Sequence, residues 1–339
     1  MKHIIGGNLV PQLPQVKTVL VEAESAGQRL DNFLLRHLKG VPKTHVYRII
    51  RSGEVRVNKG RASADSRVQA GDAVRLPPVR ISERVAEKAQ AMADTVARGA
   101  PAREFATLFE DENLLAIDKP AGVAVHGGSG VSFGVIEQLR MARPQAKFLE
   151  LVHRLDRDTS GILLIAKKRS ALKHLQDQFR ERETGKTYLA MVFGRWPANK
   201  KVLDKPLYKY ELPDGERRVR VASRDDPDGM PSVTLVKVRA VTASGFSLLE
   251  VTIKTGRTHQ IRVHLASEGL PIAGDDKYGD FDLNKALARP GASHSLKRMF
   301  LHAWRLQFTH PVSGERMQLL APLPPELEAF SAHAAPPSS

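Results

Sequence analysis

The sequence predicts an α+β protein in two parts, a small basic α/β unit followed by a larger unit built on a mostly antiparallel mixed sheet. Three observations carry that expectation. Between residues 28 and 76, two amphipathic helical stripes run into two short alternating strands. Between residues 81 and 104 the chain is charged and alanine-rich, with no large apolar anchor beyond Met92. From residue 106 to about residue 323, strand-like apolar runs outnumber helical patterns, which argues for α+β rather than a regular α/β alternation.

Taken in order, residues 1–17 read as a flexible lead. Leu30, Phe33, Leu34 and Leu38 fall at i, i+3, i+4 and i+8, the apolar stripe of a helix that Gly40 should stop. Pro42 suits the first turn of a second helix carrying Val46, Ile49 and Ile50, which Gly53 closes. Val55 and Val57 alternate with Glu54, Arg56 and Asn58 as a half-buried strand, and Gly71-Asp72 turns into Val74-Arg75-Leu76. This first unit spans 18–80, and 81–104 form a linker. In the second unit, 105–325, strands 106–110 and 114–118 should pair around Asp111-Glu112-Asn113. Further strands are expected at 162–166, 188–193, 234–238, 248–253 and 304–308, with helices at 135–142, 170–182 and 257–267. The tail, 326–339, is expected to be disordered.

Composition narrows the partners. The 339 residues hold 52 lysines and arginines against 37 acids, a formal charge of +15 that favours a polyanion. Between Arg29 and Arg80 there are twelve basic residues and four acids, so twelve minus four leaves +8 in one small unit. Arg48, Arg51, Arg56, Lys59 and Arg61 cluster on its second helix and the strand after it, the residues expected to meet nucleic acid phosphates. There is no cysteine, so disulfides and thiolate metal sites are excluded. No apolar run reaches the ~18 residues of a membrane span, and prolines 11 and 14 interrupt any signal-like core. A cytoplasmic, soluble protein is expected.

The chemistry concentrates in Leu151-Val152-His153-Arg154-Leu155-Asp156-Arg157-Asp158-Thr159-Ser160-Gly161, ahead of the apolar run 162–166. Isolated charge beside a core strand is costly unless paired. Arg154, Arg157, Arg257 and Arg262 are candidate partners for Asp156. An internal salt-bridge network is the plainer reading of any single Asp-Arg cluster. A second segment, Thr255–Arg262, repeats the same mix of arginine, histidine and a glycine turn, and two such segments converging would assemble a site for a charged substrate. Tyr188 opens an apolar strand, as a core residue or as a stacking platform. His126, His153, His259 and His264 lack the i, i+4 pairing of a zinc helix, and no glutamate lies between His259 and His264, so no metal is expected.

Gln28-Arg29-Leu30-Asp31 and Ser52-Gly53-Glu54-Val55-Arg56-Val57-Asn58 resemble the S4 RNA-binding domain. His153–Gly161, Gly256-Arg257-Thr258-His259-Gln260-Ile261-Arg262-Val263-His264, Leu301-His302-Ala303, Asp118-Lys119-Pro120 and Gly274-Asp275-Asp276-Lys277-Tyr278-Gly279 together resemble the RluA-type pseudouridine synthases. The likeness runs from about residue 18 to about residue 323, with these motifs in the family's order. Val125–Gly130 and Ser132-Phe133-Gly134 look closest to members acting on large-subunit ribosomal RNA.

That resemblance implies a pseudouridine synthase catalytic domain over 105–325, isomerising uridines of 23S ribosomal RNA without a cofactor. It puts the chemistry on Asp156 and leaves Asp158 structural. Whether Asp156 attacks the sugar, attacks the ring or takes a proton stays open. Arg154 resembles the arginine that enters the stack vacated by a flipped base. Tyr188 resembles the tyrosine that packs on that base, and Arg257 the arginine that pairs with the aspartate. The partner implied is large-subunit ribosomal RNA, with no membrane and a monomeric chain. The nearer alternative is a sister synthase of the same family acting on a different large-subunit ribosomal RNA uridine, and a non-catalytic ribosomal RNA-binding assembly factor and an RNA hydrolase are the rival classes.

Overall fold

The computed structural model describes residues 16–22, 25–38, 41–79, 102–127, 133–212, 216–289, 295–332 and 334–335. Residues 1–15 of the expected lead, all but the end of the expected linker, and the loop 128–132 lie outside the described residues. The chain divides into two compact units, Met1–Gly99 and Ala100–Ser339. Among the described residues no helix is long and apolar enough to cross a membrane.

In the first unit a three-stranded antiparallel sheet, β1 (Lys17–Leu20), β2 (Arg56–Val57) and β3 (Ala73–Leu76), carries two helices, α1 (Leu30–His37) and α2 (Lys43–Arg51). Lys17 is not part of a free lead, since it opens β1 and pairs with Leu76. The helical stripe buries Leu30, Phe33 and Leu34 against Val46, Ile49 and Val74. Full burial of such side chains contributes about 1.5–3 kcal/mol each. One acid is buried with them. Asp31 accepts from Arg29 Nη2 at 2.8 Å, from Tyr47 Oη at 3.0 Å and from its neighbour's N–H at 2.8 Å, which ties α1 to α2. The Arg29 hydrogen bond holds this carboxyl below the usual carboxylate range. Beyond β2, Asn58 and Lys59 take positive φ (49° and 69°) in a tight turn closed by reciprocal Val57–Gly60 hydrogen bonds, which puts Lys59 at an exposed tip.

The second unit is organised on one large sheet. It begins with β4 (Thr107–Glu110) and β5 (Leu114–Lys119), continues through α3 (Val135–Ala142) and β6 (Glu150–Leu151), and reaches β7 (Ser160–Ala166). All seven residues of β7 are buried. Leu163 and Ile165 pack towards α3 with Val135 and Leu139, while Ile162 and Leu164 face Leu175, Leu306 and Phe308. A strand covered on both faces reads as a continuous apolar run, which is why 162–166 lacks alternation. Next come α4 (Arg169–Glu181), β8 (Gly185–Phe193) and β9 (Val202–Asp204), then a separate two-stranded ribbon of β10 (Leu207–Glu211) and β11 (Arg217–Val221). The chain returns through β12 (Val233–Thr242), β13 (Phe246–Ile253), α5 (Gln260–Ala266), α6 (Phe281–Leu287), β14 (Leu301–Thr309), β15 (Arg316–Leu320), α7 (Pro325–Ser331) and β16 (Ala334–Ala335).

The strand order is β16-β12-β13-β8-β14-β7-β5-β4, with β15 on β14, β6 on β7 and β9 on β12. Among the described residues every strand pairing is antiparallel but one. β14 meets β7 in parallel through His302↔Ser160 and Ala303↔Gly161. Gly161 makes that seam possible: its φ is +108°, and a β-carbon there would lie 2.3 Å from the Ala303 carbonyl oxygen.

The tail needs correction. Residues 325–331 are helical rather than disordered, because Leu327 (0% exposed) and Phe330 (5%) insert into the core formed by Leu249, Val251, Leu265 and Phe300. Pro325 at the first turn and two nearby acids suit the helix start. The third helix expected in this unit is shorter than 257–267, since His259 enters α5 with φ +52° and only Gln260 onward is helical.

Candidate active site

The acidic–basic segment 151–161 bridges β6 and β7, and each side chain in it has a different anchorage. The His153 Nε2 accepts the Leu164 N–H at 3.1 Å, and the ring stacks on Phe179 at 4.7 Å. Burial pushes this imidazole down to about 4, so it stays neutral and serves as a pin to β7. Leu155 is buried in the core beside Tyr188, which turns its neighbours outward. Arg154 is exposed, and no hydrogen bond or ion pair holds its guanidinium among the described residues.

Asp156 therefore faces a cleft. Its carboxylate is 22% exposed and accepts no hydrogen bond among the described residues. Two cationic or polar groups stand off from one oxygen, Oδ2: Arg262 Nη1 at 3.7 Å and His259 Nε2 at 3.9 Å. This carboxylate oxygen is thus oriented by charge without being engaged in a direct bond.

The guanidinium is itself fixed. Arg262, 5% exposed, donates from Nε and Nη2 to the two oxygens of Asp275, each at 2.7 Å, a fork-to-fork pair that leaves Nη1 aimed at Asp156. Asp275 is fixed in turn by the backbone N–H groups of Lys277 (2.9 Å) and Tyr278 (3.0 Å). Burial opposes the charge on Arg262, but the hydrogen bonds and attraction of Asp275 hold its pKa above the ordinary value. A buried pair of this kind is compensated only while both partners remain.

His259 belongs to the same scaffold. The Tyr278 hydroxyl accepts the Val219 N–H at 3.1 Å and lies 2.7 Å from His259 Nδ1, so its proton goes to Nδ1. Burial lowers the His259 pKa and pushes Tyr278 up to about 12. The neutral ring then carries its proton on Nε2, facing Asp156. Gln260 holds the preceding turn by accepting from Thr255 Oγ1 (2.7 Å) and Arg257 N (3.1 Å).

The approach from below is built on Lys119. Its buried Nζ donates to the carbonyls of Pro120 and Val123 at 2.8 Å each and of Arg157 at 3.0 Å, stapling a loop to the residue after Asp156. Burial pushes this ammonium down to about 7.

Asp156 sits where two hollows meet. One, about 100 Å³, is lined by Arg154, Thr159, Tyr188, Arg257 and His259. The other, about 470 Å³, is lined by Val125, His126, Arg154, Arg218, Asp276 and Lys277. A third hollow of about 690 Å³ is larger but excludes Asp156; Asp118, Lys119, Asp158 and Arg298 line it. Asp158 contacts Arg157 at 3.3 Å rather than Asp156 or its partners. The Tyr188 hydroxyl is raised above its ordinary value by burial and by the charge of Asp156.

Asp156, Arg154, Tyr188 and Arg257 thus share one cleft. No ion pair joins Arg257 to Asp156 among the described residues, however. Arg257 precedes the αL residue His259, and its Nε donates to the Pro231 carbonyl at 3.3 Å. The cation against Asp156 is Arg262, inside α5 and turned to the core. Sequence reasoning assigns no role to Asp275 or Tyr278 within Gly274–Gly279, and it gives His259 no role of its own beyond membership of the Thr255–Arg262 segment and a rejected metal reading. Their spacing along the chain gives no hint that the three meet.

In the first unit, Arg48, Arg51, Lys59 and Arg61 are exposed and Arg56 is half-buried. They gather around the end of α2 and the turn after it. Gly53 is required there: φ is +75°, and a β-carbon would lie 2.8 Å from Arg61 Nε. Arg75, absent from the expected set, joins them by donating to the Glu54 carbonyl at 3.2 Å.

Comparison with known proteins agrees with this architecture. Residues 113–267 match the family model described as RNA pseudouridylate synthase, and residues 28–74 match the S4 domain. The chain is 51% identical over 319 residues to ribosomal large subunit pseudouridine synthase C of Salmonella typhimurium, covering 92% of this chain and 94% of that protein. The protein of that name from Pasteurella multocida is 52% identical over 313 residues, 92% of each chain. Among solved structures, human RNA pseudouridylate synthase domain containing 4 aligns with a TM-score of 0.55 and 26% identity, over 73% of this chain and 97% of that one.

Proposed function

The chain belongs to the RNA pseudouridylate synthase family, and from that premise we propose that it isomerises specific uridines of large-subunit (23S) ribosomal RNA to pseudouridine, with Asp156 as the catalytic residue. The observation that carries the reading is the Asp156 carboxylate, free of direct hydrogen bonds yet held under the buried Arg262. Pseudouridine formation breaks the N1–C1′ bond, turns the uracil and forms a C5–C1′ bond. The C5 proton leaves and N1 gains one, so nothing is added overall and no cofactor is needed. A carboxylate can serve as nucleophile or as base in such a sequence.

The uridine has to leave its helix to meet this group. The hollow of about 100 Å³ beside Tyr188 suits one small ring rather than a duplex. In this reading Tyr188 packs on the flipped uracil, its raised pKa keeping the phenol protonated. Arg154, exposed and unheld, fills the vacated stack. Arg262 holds Asp156 in place, while Arg48, Arg51, Arg56, Lys59 and Arg61 bind phosphates. The protein works as a cytoplasmic monomer.

The test is Asp156→Asn incubated with 23S ribosomal RNA lacking pseudouridine. Loss of pseudouridine formation with RNA binding retained is expected. Turnover by this variant, or release of free uracil by the wild type, would refute the assignment.

A further inference from the structure

The β10–β11 ribbon has a face that the reaction itself does not use. Its register sets Tyr208 opposite Arg220 and Tyr210 opposite Arg218. Residues directly opposite in an antiparallel pair share a face, as do i and i+2 along a strand. Two tyrosines and two arginines therefore form a grid on one side of the ribbon. The other side buries Leu207 and Val219 against Val263, with Val221 and Tyr278 packed beside them. Arg220 is exposed and Tyr208, Tyr210 and Arg218 are half-buried, with Arg218 held to Glu216 at 3.1 Å and Arg220 within 3.9 Å of Asp226. Arg220 lies over the Tyr208 ring at 4.9 Å.

The grid runs onto the cleft. Arg218 lines the hollow that holds Asp156, as do Glu216 and Lys277. Lys277 Nζ reaches Glu216 at 2.6 Å, and the Tyr278 hydroxyl accepts from Val219, so the ribbon is tied at two points to the segment that positions Arg262 and His259. An aromatic–cationic surface beside the reacting carboxylate matches a chain that alternates flat rings and phosphates. Duplex RNA, its rings stacked inside, would engage the arginines alone.

Resting on the proposed RNA substrate, we infer that Tyr208, Tyr210, Arg218 and Arg220 form a platform for unpaired nucleotides flanking the target uridine. The tyrosines stack on bases, and the arginines meet the intervening phosphates. The platform is a specificity device: it makes single-stranded sequence next to the target part of what is recognised.

The experiment compares wild type, Tyr208→Leu/Tyr210→Leu and Arg218→Gln/Arg220→Gln on a single-stranded RNA and on a hairpin duplex of equal length. Affinity is read against salt, and KM and kcat on 23S ribosomal RNA. The tyrosine pair should weaken single-strand binding at least tenfold, leave duplex binding and the salt slope unchanged, and raise KM with kcat intact. The arginine pair should weaken both RNAs and flatten the slope. Ultraviolet cross-linking should attach single-stranded RNA to Tyr208 or Tyr210. Equal single-strand affinity in the folded tyrosine variant, or cross-links confined elsewhere, would overturn the platform. Cross-links at these tyrosines with no pseudouridine formed on any RNA would sink the proposed reaction and leave the platform standing.

Discussion

Exchanging Arg262 for lysine is the sharpest perturbation of the site, because it keeps the charge and removes the geometry. Arg262 makes a two-armed contact with Asp275 at 2.7 Å and presents Nη1 to Asp156 at 3.7 Å. A lysine has one nitrogen in place of the planar fork and cannot keep both the two-armed contact with Asp275 and the approach to Asp156. At an effective dielectric of about 20, unit charges at that separation attract by about 4 kcal/mol. Losing half of that at the transition state slows the reaction roughly thirtyfold, since 1.36 kcal/mol is tenfold. The fork with Asp275 also weakens, at a cost of about 1–3 kcal/mol in stability. Arg257→Ala is the control: its guanidinium rests on the Pro231 carbonyl, so kcat should fall less than about fivefold. Single-turnover pseudouridine formation, with folding checked by thermal melts, reads both variants. If Arg257→Ala were crippled while Arg262→Lys kept near-normal turnover, the assignment of the counter-cation would collapse.

Asp158→Ala should fold and retain most turnover, because Asp158 contacts Arg157 and not Asp156; a loss equal to that of Asp156→Asn would reverse the choice of acid. Changing Arg48, Arg51 and Arg56 to glutamine should make log K against log salt shallower, by roughly 0.7–0.9 for each phosphate no longer neutralised, measured by RNA titration at several salt concentrations. Lys119, at about 7 in the folded chain, lies below its unfolded value, so the unfolded chain binds the extra proton between pH 7 and pH 10. Its contribution to stability is full above the unfolded pKa and is lost as pH falls through about 7. Denaturant melts of Lys119→Met should therefore show a smaller gain in stability from pH 7 to pH 10 than the wild type; an unaltered gain would contradict it. Phe330→Ala should cost about 3–5 kcal/mol, read by the same melts, whereas a disordered tail would predict no change.

Much of the fold is legible in the sequence because its signals are local. The stripe at Leu30, Phe33 and Leu34 and the apolar run 162–166 each announce their element without reference to the rest of the chain. The tail misleads for an equally physical reason. Alanine, proline and serine dominate its end, and only the core waiting for Leu327 and Phe330 makes 325–331 helical. The ribbon escapes a sequence reading because Leu207–Glu211 and Arg217–Val221 have mixed polar faces, one gripping Val263 and the other open. At the site, residue types point to Asp156, but the choice between Arg257 and Arg262 depends on the αL turn at His259, which leaves no mark in the sequence pattern.

The parallel seam between β7 and β14 has a consequence for assembly. It consists of two residue pairs, His302↔Ser160 and Ala303↔Gly161, and its strands are far apart in the chain. Asp156 is synthesised with the strands on one side of that seam, and Arg262 with those on the other. At ~5–20 residues per second the chain spends roughly 5–20 s between making the acid and making its cation. Closing so long a loop is entropically unfavourable until many contacts form together. The acid thus remains without its cation while the roughly one hundred residues between them are made, and competence arrives with the docking of the sheet halves. Completion of the fold itself sets the moment at which this chain can act on RNA.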